Sequence, residues 1–155
     1  MTISYLSEHP DFVPGLAPEI AADWQPYLPE ESIEKRLAKL RAHMNTTTLP
    51  IAWVAHNGSE VLGTAALRVH DLEGREDLTP WLGGVFVRHQ FRGRGVASAL
   101  CRVAEDAAWA HGFDRLFLFT LDHPIALFPP RVGNLRTGDM AGPRKRDNDQ
   151  TPQVG

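Results

Sequence analysis

Residues 92–97, Arg-Gly-Arg-Gly-Val-Ala, have the composition of an anion grip. Gly93 and Gly95 remove Cβ atoms where a backbone must come close to a ligand. If a helix opens at Gly95, its first N–H groups lack intrahelical partners and sit at the positive end of the dipole, which together bind phosphate. Arg92 and Arg94 add charge at the same place. Without its flanks, Arg-Gly-Arg-Gly would describe an ordinary charged surface turn. The flanks shift that balance. Residues 81–87, Trp-Leu-Gly-Gly-Val-Phe-Val, read as a strand, and a glycine pair inside a strand suggests a bulge or a close backbone approach. Residues 96–111 place Val96, Ala99, Leu100, Val103 and Ala107 on one helical face, and Gly112 ends the helix as a C-cap. Neither a dinucleotide fingerprint nor a P-loop is present.

A second set of chemical groups lies in the polar loop at 70–80: His70, Asp71, Glu73, Glu76 and Asp77. Singly these are solvated loop charges; together they form an acidic surface that attracts a cation. The other reactive residue types read as structural. Cys101 falls within a helix as a small apolar residue. His111 sits at a helix end, where a positive charge is favourable. His89 reads as exposed, and Trp24 and Trp81 as core aromatics with a secondary possibility of lining a cleft. None of the seven histidines forms a close pair at metal-ligand spacing, and the one cysteine excludes an internal disulfide or a thiolate cluster, so no metal site is expected.

The elements that must position these groups follow from apolar spacing. The chain has 155 residues, 43% hydrophobic and 23% charged, which suits one domain around one core. A net charge of -3 gives no reason to expect nucleic acid as a partner. No signal-peptide pattern and no membrane-length apolar run is visible, so a cytoplasmic protein without membrane contact is expected. Strands are predicted at 3–6, 51–55, 61–69, 81–87 and 116–121, and helices at 14–24, 32–44 and 96–111. Asn57-Gly58 marks a tight hairpin. The order is strand, two helices, a hairpin, a third strand of the middle, a helix and a fifth strand: a mixed sheet with helices packed on it.

Gln90-Phe91-Arg92-Gly93-Arg94-Gly95 resembles the Gln/Arg-x-x-Gly-x-Gly/Ala signature of the GNAT N-acetyltransferase superfamily, and the overlapping 92–97 satisfies it too. The signature follows the fourth strand and opens the third helix, as in that family, and the resemblance covers 3–128. It implies an α/β (α+β) fold with a mixed, mostly antiparallel central sheet flanked by helices. It also implies acetyl-CoA as cofactor and transfer of acetyl to a primary amine of a small molecule or a peptide N-terminus. By the same resemblance, the backbone of Val85, Phe86 and Val87 pairs with the pantetheine arm. The pyrophosphate rests on Arg92, Gly93, Arg94, Gly95, Val96 and Ala97. The fourth and fifth strands splay to admit the arm, with Thr120 near the gap, and Gly83-Gly84 matches a bulge whose backbone groups contact the thioester. An amine must lose a proton to attack, so a base is needed, often acting through water. The loop residues His70, Asp71, Glu73, Glu76 and Asp77 are the candidates, with Asp71, Glu76 and Asp77 foremost.

The C-terminal third departs from the family pattern. Pro129 stands where many members carry a thiolate-protonating Tyr, and Asn134 where an aromatic begins the sixth strand. Pro129-Pro130 forbids a regular helix, and no sixth or seventh strand is predicted. Residues 1–140 are therefore expected to form the acetyl-CoA-binding domain, with the C-terminal strands missing or altered, and 141–155 to be a polar disordered tail. Codons for 145–154 shifted by one base permit Ser-Ala-Thr-Met-Thr-Lys-Arg-Leu, which resembles a family last strand. The alternative to an active enzyme is thus an impaired CoA-binding remnant with a truncated or frameshifted C-terminus. A homodimer whose partner supplies the missing strands is a further alternative.

Overall fold

The hairpin in the middle of the chain sets the sheet. Strands β2 (Ile51–Asn57) and β3 (Glu60–Arg68) pair antiparallel, with Asn57 opposite Glu60. Gly58 and Ser59 are therefore the two-residue turn, one position later than Asn57-Gly58. Gly58 has φ +60°, the positive value that hairpin turns matched to strand twist require. The computed structural model describes residues 1–71 and 73–118, together with the strand segments 126–128, 131–132 and 135–136. Within these residues β1 (Thr2–Tyr5) pairs antiparallel with β2, and β4 (Trp81–Val87) antiparallel with β3. Strand β5 (Leu116–Leu118) then runs parallel to β4.

Helices cover both faces, so β2 is buried on both sides and reads as a continuous apolar run rather than an alternating one. Ile51, Trp53 and Ala55 share a core with Leu67, Leu82 and Val87 and with Val96, Leu100, Ala104 and Ala108 of helix α3 (Val96–Ala110). Ala52 and Val54, together with Ala66 and Phe86, face Leu16, Ile20 and Trp24 of α1 (Val13–Trp24) and Leu40 of α2 (Ile33–Ala42). This is period-two alternation with both sets buried. Ser32 caps α2 by accepting a hydrogen bond from the Lys35 amide at 3.1 Å. Helix α3 ends in a Schellman motif: Gly112 has φ +91°, its amide donates to Trp109 O at 3.0 Å, and the Phe113 amide donates to Ala108 O at 3.1 Å.

Three sequence expectations change. Leu6 leaves the first strand and opens a short 3-10 turn (Leu6–Glu8), because its side chain is fully buried beside α1. Helix α2 stops at Ala42 rather than Met44, and the His43 side chain turns into the interior. A sixth strand, expected to be absent, is present: β6 (Ala126–Phe128) pairs antiparallel with β5, and a separate hairpin joins β7 (Arg131–Val132) to β8 (Leu135–Arg136). Two or three residues between prolines and glycines are too short to show a period, so periodicity could not find them. The positions of Thr120, Pro129 and Asn134, the end of the strand predicted to reach 121, and the tail 141–155 lie outside the described residues.

Candidate functional site

β4, its following turn and the start of α3 form one wall of a cavity of about 420 Å³. The cavity is lined by Val85, Phe86 and Val87 from β4, Phe91, Arg92, Gly93 and Gly95 from the turn, Val96, Ala97 and Ser98 from α3, and Asp23 and Trp24 from α1. Gly93 and Gly95 have φ +78° and +81°, the left-handed region that costs a non-glycine residue about 1–2 kcal/mol. Among the described residues, a Cβ at either position would meet no atom within 4 Å. Packing against the described residues therefore requires neither glycine; what sets them apart is their conformation and open approach. Gly95 is also the N-cap of α3 and supplies no side-chain cap, so the first amides of that helix face the turn without one. Two left-handed glycines on either side of Arg94, leading into a bare helix N-terminus, make a concave set of N–H donors suited to pyrophosphate.

Side chains around the turn are tied to α1. Arg92 donates through Nε to Val87 O at 2.6 Å and through Nη2 to Asp23 Oδ2 at 2.8 Å, with its guanidinium over the Phe86 ring. His89 Nε2 lies 3.1 Å from Asp23 Oδ1, so His89 is exposed but partnered. Burial pushes the Asp23 carboxyl up, yet the hydrogen bonds from Arg92 and His89 outweigh it and hold the group below the usual carboxylate range. Arg88 adds a two-pronged pair with Glu19 at 2.7 and 3.0 Å. Arg94 stacks over Phe91, itself a lining residue, and is not part of the lining.

The loop carboxylates have separate surroundings. Asp71 is drawn inward, where its Oδ1 accepts from Arg68 Nη1 at 2.7 Å and its side chain is 3% exposed. Glu76 and Asp77 stay at the surface; Glu76 accepts from the Gly74 amide, and Asp77 takes two hydrogen bonds from Arg75 at 3.0 Å. That Arg75 contact holds the Asp77 carboxyl below its ordinary range. His70 and Glu73 are exposed. Arg68 also donates through Nε to His43 Nε2 at 2.8 Å, and His43 Nδ1 donates to Lys39 O at 2.6 Å. Arg68 can only donate, so this imidazole is neutral with its proton on Nδ1. Burial first, and the Arg68 charge second, push the His43 pKa down to about 3.

Residues 17–127 match the model of the Acetyltransferase (GNAT) family. The chain belongs to the GNAT acetyltransferase family. Its fold is shared with many solved acetyltransferases of that family, whose co-substrate is acetyl-CoA. One similar structure is an aminoglycoside 6'-N-acetyltransferase complexed with coenzyme A, at 20% identity and TM-score 0.55. The match covers 77% of this chain and 62% of that protein, so this chain spans less than two thirds of that relative's length. A GNAT family acetyltransferase from Staphylococcus aureus Mu50 matches at 16% identity and TM-score 0.57, over 78% of this chain and 74% of that one. A ribosomal-protein-alanine N-acetyltransferase from Brucella melitensis biovar Abortus matches at 23% identity and TM-score 0.50, over 76% and 77%. No curated protein sequence matches the chain.

Of the residues that the GNAT resemblance assigns to the cofactor, Val85, Phe86, Val87, Arg92, Gly93, Gly95, Val96 and Ala97 converge on one cavity. Arg94 borders it without lining it, and Thr120 lies outside the described residues. Sequence reasoning missed Asp23 and Arg68. Asp23 gave no signal, since an acid on an exposed helix face is ordinary. Arg68 gave one: it stands at a core-facing position of an otherwise apolar strand, in phase with Thr64 and Ala66. Trp24 proves to serve the core and the cavity together, whereas Trp81 is wholly buried, with its indole N–H donated to Leu78 O.

Proposed function

We propose that this protein transfers an acetyl group from acetyl-CoA to a primary amine, of a small molecule or a peptide N-terminus, and that residues 1–140 are the domain that does so. The observation that carries this reading is the turn: two left-handed glycines with open approach, at an uncapped helix N-terminus, on the rim of a cavity walled by β4. Arg92, Gly93, Arg94, Gly95, Val96 and Ala97 would hold the pyrophosphate, and the backbone of Val85, Phe86 and Val87, with Thr120, the pantetheine arm. Bound there, acetyl-CoA supplies an activated acyl group. A C–N bond forms, the C–S bond breaks, the amine gives up one proton and the CoA thiolate takes one.

Among the loop carboxylates, Glu76 is the proposed base, acting through water, because its carboxylate is exposed and carries no arginine partner among its described contacts. Asp77, held low by Arg75, is the weaker base and serves to attract a cationic amine. Asp71 is proposed to act through Arg68 rather than on the substrate. No helix among the described residues is long and apolar enough to cross a membrane. The cytoplasm is the setting proposed for a chain with this donor.

Calorimetry with acetyl-CoA, paired with thiol release across a panel of amines, tests the reading. Micromolar binding with amine-dependent release is expected. Binding without release from any amine would indicate a CoA-binding remnant, and no binding would remove the reading altogether.

A further inference from the structure

Between Thr64 and Ala66 the β3–β4 register slips. Thr64 is opposite Phe86 and Ala66 opposite Gly83, so Gly84 and Val85 together face Ala65. This is a bulge, and Gly84 has the positive φ, +61°, that a glycine-type bulge uses. Its second residue, Val85, lines the cavity. The bulge is therefore part of the β4 wall, at the end away from the pyrophosphate turn.

Arg68 fills the space beside that bulge. A Cβ built on Gly83 would lie 3.0 Å from Arg68 Nη1, and one on Gly84 only 2.6 Å from Nη2. Both ends of the guanidinium thus lie against the glycine pair. The guanidinium is fixed on its other sides by Asp71 at 2.7 Å and by neutral His43 at 2.8 Å, and Arg68 is 5% exposed. A buried ion pair is weak evidence for stability, because apolar residues of similar volume usually do as well. An aliphatic residue at 68 with alanines at 83 and 84 would make an ordinary strand pair. The sequence instead carries a clamped arginine and two glycines that leave room for it.

We propose that Arg68 is a positioning residue for acetyl transfer: clamped by Asp71 and His43, it sets the Gly83-Gly84 bulge and so aims the β4 backbone groups at the acetyl end of the cofactor. This rests on the acetyl-transfer reading above. The planar fork matters here, since lysine offers a point charge and cannot lie flat against two glycines while bonding two partners.

Arg68→Lys is the test, with Asp71→Asn as a second, milder variant that leaves the arginine in place but loosens its clamp. In Arg68→Lys, kcat is expected to fall about a hundredfold, the effect of a small misplacement at a reacting centre. Calorimetric affinity for CoA should stay within about threefold, because the pyrophosphate turn is untouched. In the protein without cofactor, the amide NMR signals of Gly84 and Val85 should move while those of Gly93 to Ala97 stay in place. Asp71→Asn should lower kcat less and keep the shape of the pH–rate profile; loss of its acidic limb would make Asp71 the base and overturn the positioning role. Wild-type protein that turns over amine, with kcat in Arg68→Lys unchanged, overturns this proposal alone. Wild-type protein that binds acetyl-CoA and acetylates nothing overturns the transfer reading and this proposal with it.

Discussion

Two glycine pairs flank the same wall of the cavity, and the chain uses them in opposite ways. At Gly83 and Gly84 the missing side chains are replaced by protein: Arg68 lies against both, and Asp71 Oδ1 comes as close to a Cβ at Gly83, 3.0 Å, as Arg68 Nη1 does. At Gly93 and Gly95 nothing among the described residues comes within 4 Å of where a Cβ would be. Positive φ occurs at Gly84 as it does at Gly93 and Gly95, though not at Gly83, so a left-handed backbone by itself does not mark a ligand site. What separates the pairs is who fills the space. The first pair is closed by the fold and shapes it; the second is open and suits a ligand's phosphate oxygens. Glycine content alone says that a backbone is approached closely, and only the surroundings say by what.

Substitution at the closed pair should therefore unfold, and at the open pair should unbind. The largest effect is expected for Gly84→Ala, where a methyl group meets a clamped guanidinium and φ is unfavourable. Urea denaturation should show a loss of about 3 kcal/mol; a loss below about 1 kcal/mol would mean that Arg68 moves aside freely, and the contrast would collapse.

Next comes the titration of the group that clamps Arg68. The folded-state pKa of His43 is depressed from 6.5 to about 3, so below pH 6.5 the unfolded chain takes up a proton that the folded chain refuses. The stability it contributes is complete above pH 6.5 and is lost as pH falls toward 3. Between pH 7 and pH 5 wild type should lose about 2 kcal/mol more than His43→Gln, which keeps an acceptor but does not titrate. Equal losses in paired urea titrations would refute the neutral, Arg68-bonded histidine.

At the open pair, Gly95→Ala should weaken acetyl-CoA binding about tenfold by calorimetry while costing only about 1 kcal/mol of stability from its left-handed φ. Undiminished affinity would place the pyrophosphate elsewhere. The smallest effect is expected at Asp23, whose carboxylate shares the cavity with the proposed pyrophosphate. Asp23→Asn should tighten acetyl-CoA binding about threefold at low salt and less at high salt. Weaker binding would show that Asp23 matters more for holding Arg92 and His89 than it does by repulsion.

The open pair was legible in the sequence because its meaning is local: a strand, two glycines, two arginines and a helix follow one another without interruption. The fold was legible for a related reason, since α1, α2, α3 and the β2–β3 hairpin each carry their own period or turn signal. The closed pair was half legible. Gly83-Gly84 announced a bulge, but its partner Arg68 lies on another strand, and Asp71 and His43 come from a loop and the end of a helix. Chain order puts Asp71 three residues after Arg68 but links neither of them to His43 or to the glycine pair. Asp71 looked like a free loop acid for that reason, and His43 like the last turn of α2. The three residues of β6 were hidden by brevity, and pairing with β5 rather than any pattern of their own makes them a strand.

The bulge has one further effect on the chain that passes through it. Leu82 and Val87 look toward α3, while Phe86 looks toward α1. In a regular strand, 82 and 86 would share a face. The polypeptide thus leaves the sheet half a pleat out of step with how it entered, and that phase delivers Arg92 to Phe86 and Asp23 on the α1 side. Straightening the bulge into a regular strand with every residue kept would turn Phe86 into the α3 core and swing the phosphate turn away from α1, whereas deleting one residue there would remove the bulge and leave Phe86 opposite Thr64 as it is. The bulge is thus what lets β4 carry one residue more than its partner strand while everything downstream keeps its aim.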